Sequence, residues 1–547
     1  MTLAQDVEIQ ASSSSLADKA FDHPPLEKVA TQPNVEEESM DEKIQRLGRE
    51  RPPAFKSRLA EFGFVFSIIM SQIITEFFVS GFNVILPTLI KELDIPQSSS
   101  VWPATVFSLV IASTLLVFGR LGDMYGGWIV FVGGLAWLLI WSVICGFSTS
   151  PVMMDICRAL QGLGPAAYLP TGVMLMGSAY RPGPRKNVVF ALYGTFAVVG
   201  FFVGIFFAGL VGQFLRWTWY FWIGSFLVAI TLLTSVLFIE NDYRERRQNN
   251  ISMDWLGAMT IVSGLILIVF SITESAHAEQ RWRTPYIPVL FCLGCILLLL
   301  AVYVEGWVAK QPLLPADIFS VPCMAQLVIA MLFLYGNVGI LLLYGTQYFQ
   351  NIMGATPLQV VAWWVPMVVG GLILSTVVGF IMHLVPGRLL LILSCHGAIG
   401  SELLLALIPE GGSYWAWVFS SCILGTIGID LAYNLVSVYI TTQMQKSRQG
   451  LAGGLINSIL QLGIALLLGC CDIIQSYTVE EAGLRQSYKN TFWFGVASGG
   501  VALLLVTIWG RVPKQGSDLT ADEKMELQRE ATRLSELSRT GSGATPR

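Results

Sequence analysis

Apolar runs of about twenty residues, separated by short polar breaks, repeat along most of this chain, and that is the length a helix needs to cross a bilayer. Breaking the runs at Gly, Pro and charge clusters predicts fourteen helices, near 62–87, 101–119, 128–147, 152–177, 188–211, 219–239, 255–273, 286–305, 321–344, 357–381, 389–408, 414–442, 450–471 and 491–510. The pattern implies an all-α integral membrane protein. An even number of crossings places both termini on one side. Loops on that side hold eleven Lys and Arg residues, among them Arg120, Arg185, Lys186, Lys310 and Arg388, against six opposite, among them Lys91, Arg216 and Arg485. Short loops rich in positive charge stay in the cytoplasm, so both termini are expected there.

Composition narrows the function. Of 547 residues, 54% are hydrophobic and 13% charged, about half the charge of a soluble domain. A net charge of −4 without a basic block argues against a nucleic-acid partner. All nine cysteines lie in apolar stretches, and Cys292 and Cys295 form a C-x-x-C with no second ligand pair nearby. His23, His277, His383 and His396 are scattered, so no metal site is expected. There is no nucleophile motif and no phosphate-binding loop. Neither an enzyme nor an ATP-driven pump is therefore expected, no cofactor is called for, and an ion gradient is left as the energy source. Residues 1–60, Ser-rich and acidic around Glu36 to Glu38, read as a disordered cytoplasmic tail without a cleavable signal. Residues 511–547 read as a second tail, in which Leu527, Ala531 and Leu534 would share one face of a short helix capped by Thr520 and Glu523.

Several motifs stand out against this background. Between the second and third runs lies Gly119-Arg120-Leu121-Gly122-Asp123-Met124-Tyr125-Gly126-Gly127. Its glycines permit a very tight turn, and Asp123 would suit an opposing helix N-terminus; an ordinary polar hairpin is the alternative. The fourth run carries Arg158-Ala159-Leu160-Gln161-Gly162-Leu163-Gly164, and the fifth carries Gly200, Gly204 and Gly209. After it comes Arg216-Trp217-Thr218-Trp219-Tyr220-Phe221, and later Asp254-Trp255-Leu256-Gly257-Ala258, Gln311-Pro312-Leu313-Leu314-Pro315 and the small-residue stretch from Gly450 through Gly454 to Gly463. In this order the motifs resemble the loop signature, the R-x-x-Q-G-x-G motif, the antiporter motif and the W-R-W-x-F junction of the major facilitator superfamily. The match is with the fourteen-helix drug:proton antiporter branch, fungal members above all, and covers roughly residues 60–510. The chain departs from that pattern at Met124 and Gly127, which lack the usual basic residues. Ile205 stands where the antiporter motif has proline, Ala208 where it has glycine, and Phe78 where the first helix commonly has aspartate.

The resemblance implies a six-helix bundle over 61–240, a linker with inserted helices seven and eight over 241–320, and a second six-helix bundle over 321–510. It implies alternating access, a lipid bilayer around a protein functional as a monomer, and export of a small organic molecule in exchange for protons. The plasma membrane is favoured over the vacuole. Import or facilitated passage of a nutrient or small inorganic solute is the rival, and a membrane sensor or embedded enzyme a distant one.

Ionisable side chains inside a membrane are costly, by at least ~2.5 kcal/mol each, and so are functional candidates. Every Lys and Arg but Arg158 falls in a tail or loop. Arg158 is expected to pair with Asp155, with Gln161 on the same face, either as a structural ion pair or as a cavity residue answering a protonatable acid. In the first helix Gln72, Glu76, Ser80 and Asn83 recur at helical spacing on one stripe. Glu76 is the leading proton-coupling candidate, with binding of a cationic substrate as the competing role. Asp430 comes second, beside Tyr433, Asn434 and Ser437, and then Glu402 in a seam with Gly397, Gly400 and Ser401. Asn457 and Gln461 would line the cavity or bond between helices. Tyr335, Asn337, Tyr344, Trp363 and Trp364 offer aromatic and amide surface, with anchoring at the membrane interface as the alternative. Gly119, Arg120, Gly122, Asp123 and Gly126 would form a cytoplasmic latch, Asp123 capping the thirteenth helix near Gly450. Gly162, Gly164, Gly200, Gly204, Gly209, Gly450 and Gly454 are the expected close-packing glycines.

Overall fold

The computed structural model describes residues 51–52, 55–96, 101–180, 184–243, 251–278, 280–315, 318–319, 322–381, 384–443 and 449–510. Residues 1–50 and 511–547, with the short helix expected at 520–534, lie outside them. Among the described residues every regular element is a helix. The helices are α1 (Arg58–Glu92), α2 (Trp102–Tyr125), α3 (Gly127–Cys145), α4 (Pro151–Ala179), α5 (Pro184–Phe214), α6 (Thr218–Phe238), α7 (Trp255–Ser275) and α8 (Tyr286–Val308). They continue with α9 (Met324–Asn351), α10 (Pro357–Ile381), α11 (Gly387–Leu407), α12 (Phe419–Gln443, entered through a π-turn at Tyr414–Val418) and α13 (Gln449–Trp509).

Twelve of these helices are long and apolar enough to cross a membrane, against the fourteen crossings expected. Two features account for the difference. Helix α4 is 29 residues long, but Asp155, Arg158, Gln161 and its Gly and Pro residues make it less apolar than its neighbours. The last two expected runs share α13, which is broken at Gly483, where φ is 79° and ψ 163°. Only glycine takes that conformation without strain.

Local chemistry sets the helix starts. Ser57 accepts a hydrogen bond from the Ala60 N–H at 3.0 Å, so α1 begins inside the segment expected to be tail. Ser150 caps α4 through the Met153 N–H at 3.3 Å, ahead of Pro151. Asp254 caps α7 through the Gly257 N–H at 3.0 Å. The turn between α2 and α3 needs only one special glycine, Gly126, with φ at 94°. The start of α3 is capped by a distant residue, Asp242, whose carboxylate accepts from the N–H groups of Gly127 and Trp128 at 2.9 and 3.1 Å. Gly119 and Gly122 lie within α2, where their small size admits Pro170 and Thr171 of α4.

Helices α1 to α6 pack among themselves, α1 on α5 and α6, and α4 on α2 and α3. Helices α9 to α13 do likewise, α9 on α13 and α11 on α12 and α13. The two groups meet where α2 and α4 pack on α13, α5 on α10, and α1 on α9. Helix α7 lies against both α2 and α13, and α8 packs on α7. Glycines set the closest approaches. A methyl group on Gly200 would lie 2.7 Å from Ile73 Cα, and one on Gly204 2.8 Å from Phe77 Cα, so α5 crosses α1 backbone to backbone. Gly162 faces the Phe107 carbonyl, Gly164 faces Leu138 and the Gly134 carbonyl, Gly209 faces Pro357 and Val361 of α10, and Gly454 meets Leu115 of α2. Gly450 lies in the first turn of α13. On the face holding the start of α1, Arg185 donates to both Glu61 oxygens at 2.7 and 2.6 Å. The Glu61 carboxylate raises the Arg185 guanidinium above its ordinary value.

Candidate functional site

Arg158 is almost fully buried, 1% exposed, yet its expected partner is absent: no hydrogen bond joins it to Asp155 among the described residues. Its Nε donates to the Pro103 carbonyl at 3.0 Å, Nη1 to Gln161 Oε1 at 2.7 Å and Nη2 to the Phe78 carbonyl at 3.3 Å. The rings of Phe82 and Phe107 each lie 4.1 Å from the guanidinium carbon. A planar fork of donors between two π-faces suits guanidinium, and neutral oxygens replace the acid. Asp155 Oδ1 is buried without a partner. Gln161 donates in turn to Ser142 at 2.7 Å, so its amide braces α3 against α4 and does not face the cavity. Arg158 lines a small cavity with Asn83, Ser108, Gly339, Leu342 and Leu468, between the two helix groups.

The stripe on α1 is interrupted. Directly after Glu76 the helix widens into a π-turn, Phe77–Gly81, and the added residue rotates the remainder of α1 about its axis. Ser80 therefore turns toward α5, donating to the Phe201 carbonyl at 2.9 Å and to the Glu76 carbonyl at 2.7 Å, rather than into the cavity. Gln72 remains beside Glu76, its amide donating to Glu76 Oε1 at 3.4 Å, while Gln72 Oε1 has no partner. Glu76 also borders Gly200 of α5.

Asp430 approaches the same region from α12. Its Oδ2 borders Gly371 of α10, which also borders Val198 of α5. The ring centroid of Tyr335 is 6.3 Å from that of Tyr433. Two half-buried carboxyl groups thus flank the α5–α10 contact, and the Tyr335 and Tyr433 rings lie together on the α9 and α12 side. Neither has a cationic partner among the described residues, and the hydroxyls of Tyr193 and Tyr335 are buried without one. No sequence pattern singles out Tyr193, because a lone tyrosine in an apolar helix carries no periodic signal.

The remaining candidates separate. Asn434 and Asn457 turn their amide nitrogens back onto their own helices, donating to the carbonyls of Asp430 at 2.8 Å and Gly453 at 3.0 Å. Gln461 is 2% exposed with Oε1 unpartnered. Trp363 stacks on Tyr414 at 5.2 Å and meets Phe349, and Trp364 donates to Thr346 at 3.2 Å. Both belong to an aromatic cluster near the ends of α9 and α10, away from the two acids. Asn337, Tyr344 and Glu402 lie inside the second helix group. Arg120, read as a latch cation, reaches the segments that flank α7 and α8. It donates to the Ser252 carbonyl at 3.2 Å and to Gln311 Oε1 at 2.9 Å. Asp123 is half-buried near the end of α2.

The family model described as Major Facilitator Superfamily matches residues 68–468. The low affinity ammonium transporter of Saccharomyces cerevisiae is 30% identical over 75% of this chain and 80% of its own. The efflux pump terJ of Aspergillus terreus is 28% identical over 84% of this chain and 89% of its own. Among solved structures, the human organic anion transporter MFSD10 superposes with a TM-score of 0.54 at 13% identity, over 83% of this chain and all of its own.

Proposed function

The chain belongs to the major facilitator superfamily, and on that premise we propose that this membrane transporter exports a small organic compound in exchange for protons by alternating access. The chain crosses the membrane fourteen times, α4 and both arms of α13 counted, with its termini in the cytoplasm of a cell whose plasma membrane holds it. Residues 61–240 and 321–510 form the two moving bundles, and α7 and α8 are inserted between them. Glu76 and Asp430 carry protons, and Tyr193, Tyr335 and Tyr433 offer π-faces and hydroxyls to the substrate. Arg158 holds the π-turn beside Glu76 through the Phe78 carbonyl and so sets the position of that acid. Asp123 latches the cytoplasmic side against the start of α13.

The observation that carries this reading is the pair of acids at the contact between the two groups, without a fixed cation among the described residues to neutralise them. A carboxylate in such a place takes up a proton or a cation. The similarity to efflux pumps and to a multidrug transporter of Aspergillus fumigatus supports the outward direction. The similarity to an ammonium transporter favours a second reading, uptake of a small cation at the same acids.

Proteoliposomes holding the full chain and an internal pH dye distinguish the two. A compound identified by a growth screen of overproducing cells should enter vesicles that are acidic inside and draw protons out. Glu76→Gln should lower that exchange about a hundredfold. Accumulation of methylammonium without counterflow of protons would replace export by uptake.

A further inference from the structure

Helices α7 and α8 form one hairpin that is fastened to the two helix groups at opposite ends. Gly264 of α7 and Gly294 of α8 face each other closely: a methyl group on either would lie 3.2 or 3.1 Å from the other's carbonyl oxygen. At the open end of the hairpin, the segments entering α7 and leaving α8 are joined. Gln311 Oε1 accepts from the Ser252 N–H at 2.9 Å, and Glu305 Oε2 accepts from the Leu314 N–H at 3.1 Å. Arg120 of α2 ties this junction to the first group, donating to the carbonyls of Ser252 and Gln311 at 3.2 and 3.3 Å and to Gln311 Oε1 at 2.9 Å. The other end is tied to α13 of the second group instead. There His277 Nε2 lies 2.5 Å from Asp472 Oδ2, with side-chain exposures of 7% and 3%. Arg281 donates to the Ser476 carbonyl at 3.4 Å, and its guanidinium carbon lies 3.8 Å from the centre of the Tyr477 ring. Gly469 lets α7 come this near, since a methyl group there would lie 2.7 Å from the Thr273 hydroxyl. At this end α2 contributes a ring contact, Trp102 with Phe270 at 5.5 Å, and no hydrogen bond among the described residues. Between the two ends the packing is apolar, with Val269 of α7 buried against Leu109 of α2 and Ala465 of α13.

These ties are unequal. The acceptors that Arg120 reaches are neutral and belong to exposed residues, so water can take their place at little cost. The His277–Asp472 pair is buried, and parting it would leave polar groups facing protein without a partner. Alternating access, on which this inference rests, requires α2 and α4 to part from the start of α13, where Gly453 meets Val173 and Gly454 meets Leu115. The hairpin touches both sides of that seam and can follow only one of them. We infer that α7 and α8 move as part of the second bundle, and that Arg120 is a releasable tie fastening the first bundle to them while the cytoplasmic side is shut. The apolar middle of α7 gives way easily, because in a membrane lipid replaces a helix face with little loss of hydrophobic energy.

Spin labels carried on a keto amino acid leave the native cysteines untouched and report distances in the purified full chain. Three exposed positions on the cytoplasmic side of the proposed topology serve: Val188 in the first bundle, Trp307 of α8 and Leu384 in the second. Pairwise distances are read by electron double resonance at acidic and at alkaline pH. Where the Val188–Leu384 distance lengthens, Val188–Trp307 should lengthen with it, and Trp307–Leu384 should stay constant. Arg120→Gln should raise the population with the long Val188–Leu384 distance about tenfold, the share of one or two exposed hydrogen bonds. Trp307–Leu384 should not respond to it. His277→Gln should instead broaden the Trp307–Leu384 distance, and if that variant does not fold, Arg281→Gln loosens the same end. A Trp307–Leu384 distance that changes while Val188–Trp307 stays fixed would seat the hairpin on the first bundle and overturn the inference. So would an Arg120→Gln chain whose distances match those of the parent. A Val188–Leu384 distance that never changes, in any variant or condition, removes alternating access and this inference together.

Discussion

The two helix groups hold their most deeply buried ionisable side chains, Arg158 and Glu402, in opposite ways. In α1 to α6 the arginine with the greatest burial has three oxygen acceptors and two aromatic faces, and its glutamine neighbour is bonded at both ends. The Thr75 and Tyr168 hydroxyls likewise satisfy each other at 2.9 Å. In α9 to α13, Glu402, Asn337, Tyr344, Gln347 and Gln475 each leave a buried atom unpartnered. A satisfied network makes a rigid frame, whereas unsatisfied groups persist where something binds and leaves. Arg158 reads as a fixed strut beside Glu76, whereas Glu402 has no fixed partner among the described residues.

Substitutions can break or sharpen that contrast. The largest effect is expected from Arg158→Met, which removes the donors to three buried neutral oxygens and should cost about 1–3 kcal/mol for each acceptor left unsatisfied. Thermal unfolding of detergent-solubilised protein measures it. Arg158→Lys should recover only part, because an ammonium cannot reproduce the fork. Next is Glu76→Gln, which should lower proton-driven flux about a hundredfold, the share of a single proton-transfer group, with unfolding temperature unchanged. A fall in both would place Glu76 with the scaffold. Gly200→Ala should destabilise by about 1–3 kcal/mol, because its methyl group has no room against Ile73. The smallest change is expected from Tyr193→Phe. Stability should stay within about 0.5 kcal/mol, because the hydroxyl has no bond to lose, while the apparent affinity for substrate shifts. Equal loss of affinity and stability would mean that the hydroxyl is structural.

Much of this molecule is legible in its residue order. Hydrophobic runs locate the helices because each crossing must present apolar side chains over a fixed thickness. Arg158 and Glu76 stand out because charge is scarce inside those runs. Asp472 does not stand out, since it sits at the end of an expected run and reads as a loop acid until His277 is placed against it. The stripe of α1 misleads for a similar reason: the π-turn at Phe77 rotates Ser80 away from Glu76's face, and nothing in the spacing announces an extra residue in the turn.

The sequence by itself determined class, family and the short list of ionisable residues, because these arise from composition, periodicity and ordered motifs, all local properties. Tertiary structure decided their partners. Arg158 faces neutral carbonyls instead of Asp155, Asp242 instead of a local residue caps α3, and Arg120 holds the segments flanking α7 and α8. Helices that are uniformly apolar around their circumference can rotate against one another with little penalty in lipid. Glycine contacts and buried hydrogen bonds between distant segments therefore fix which faces meet.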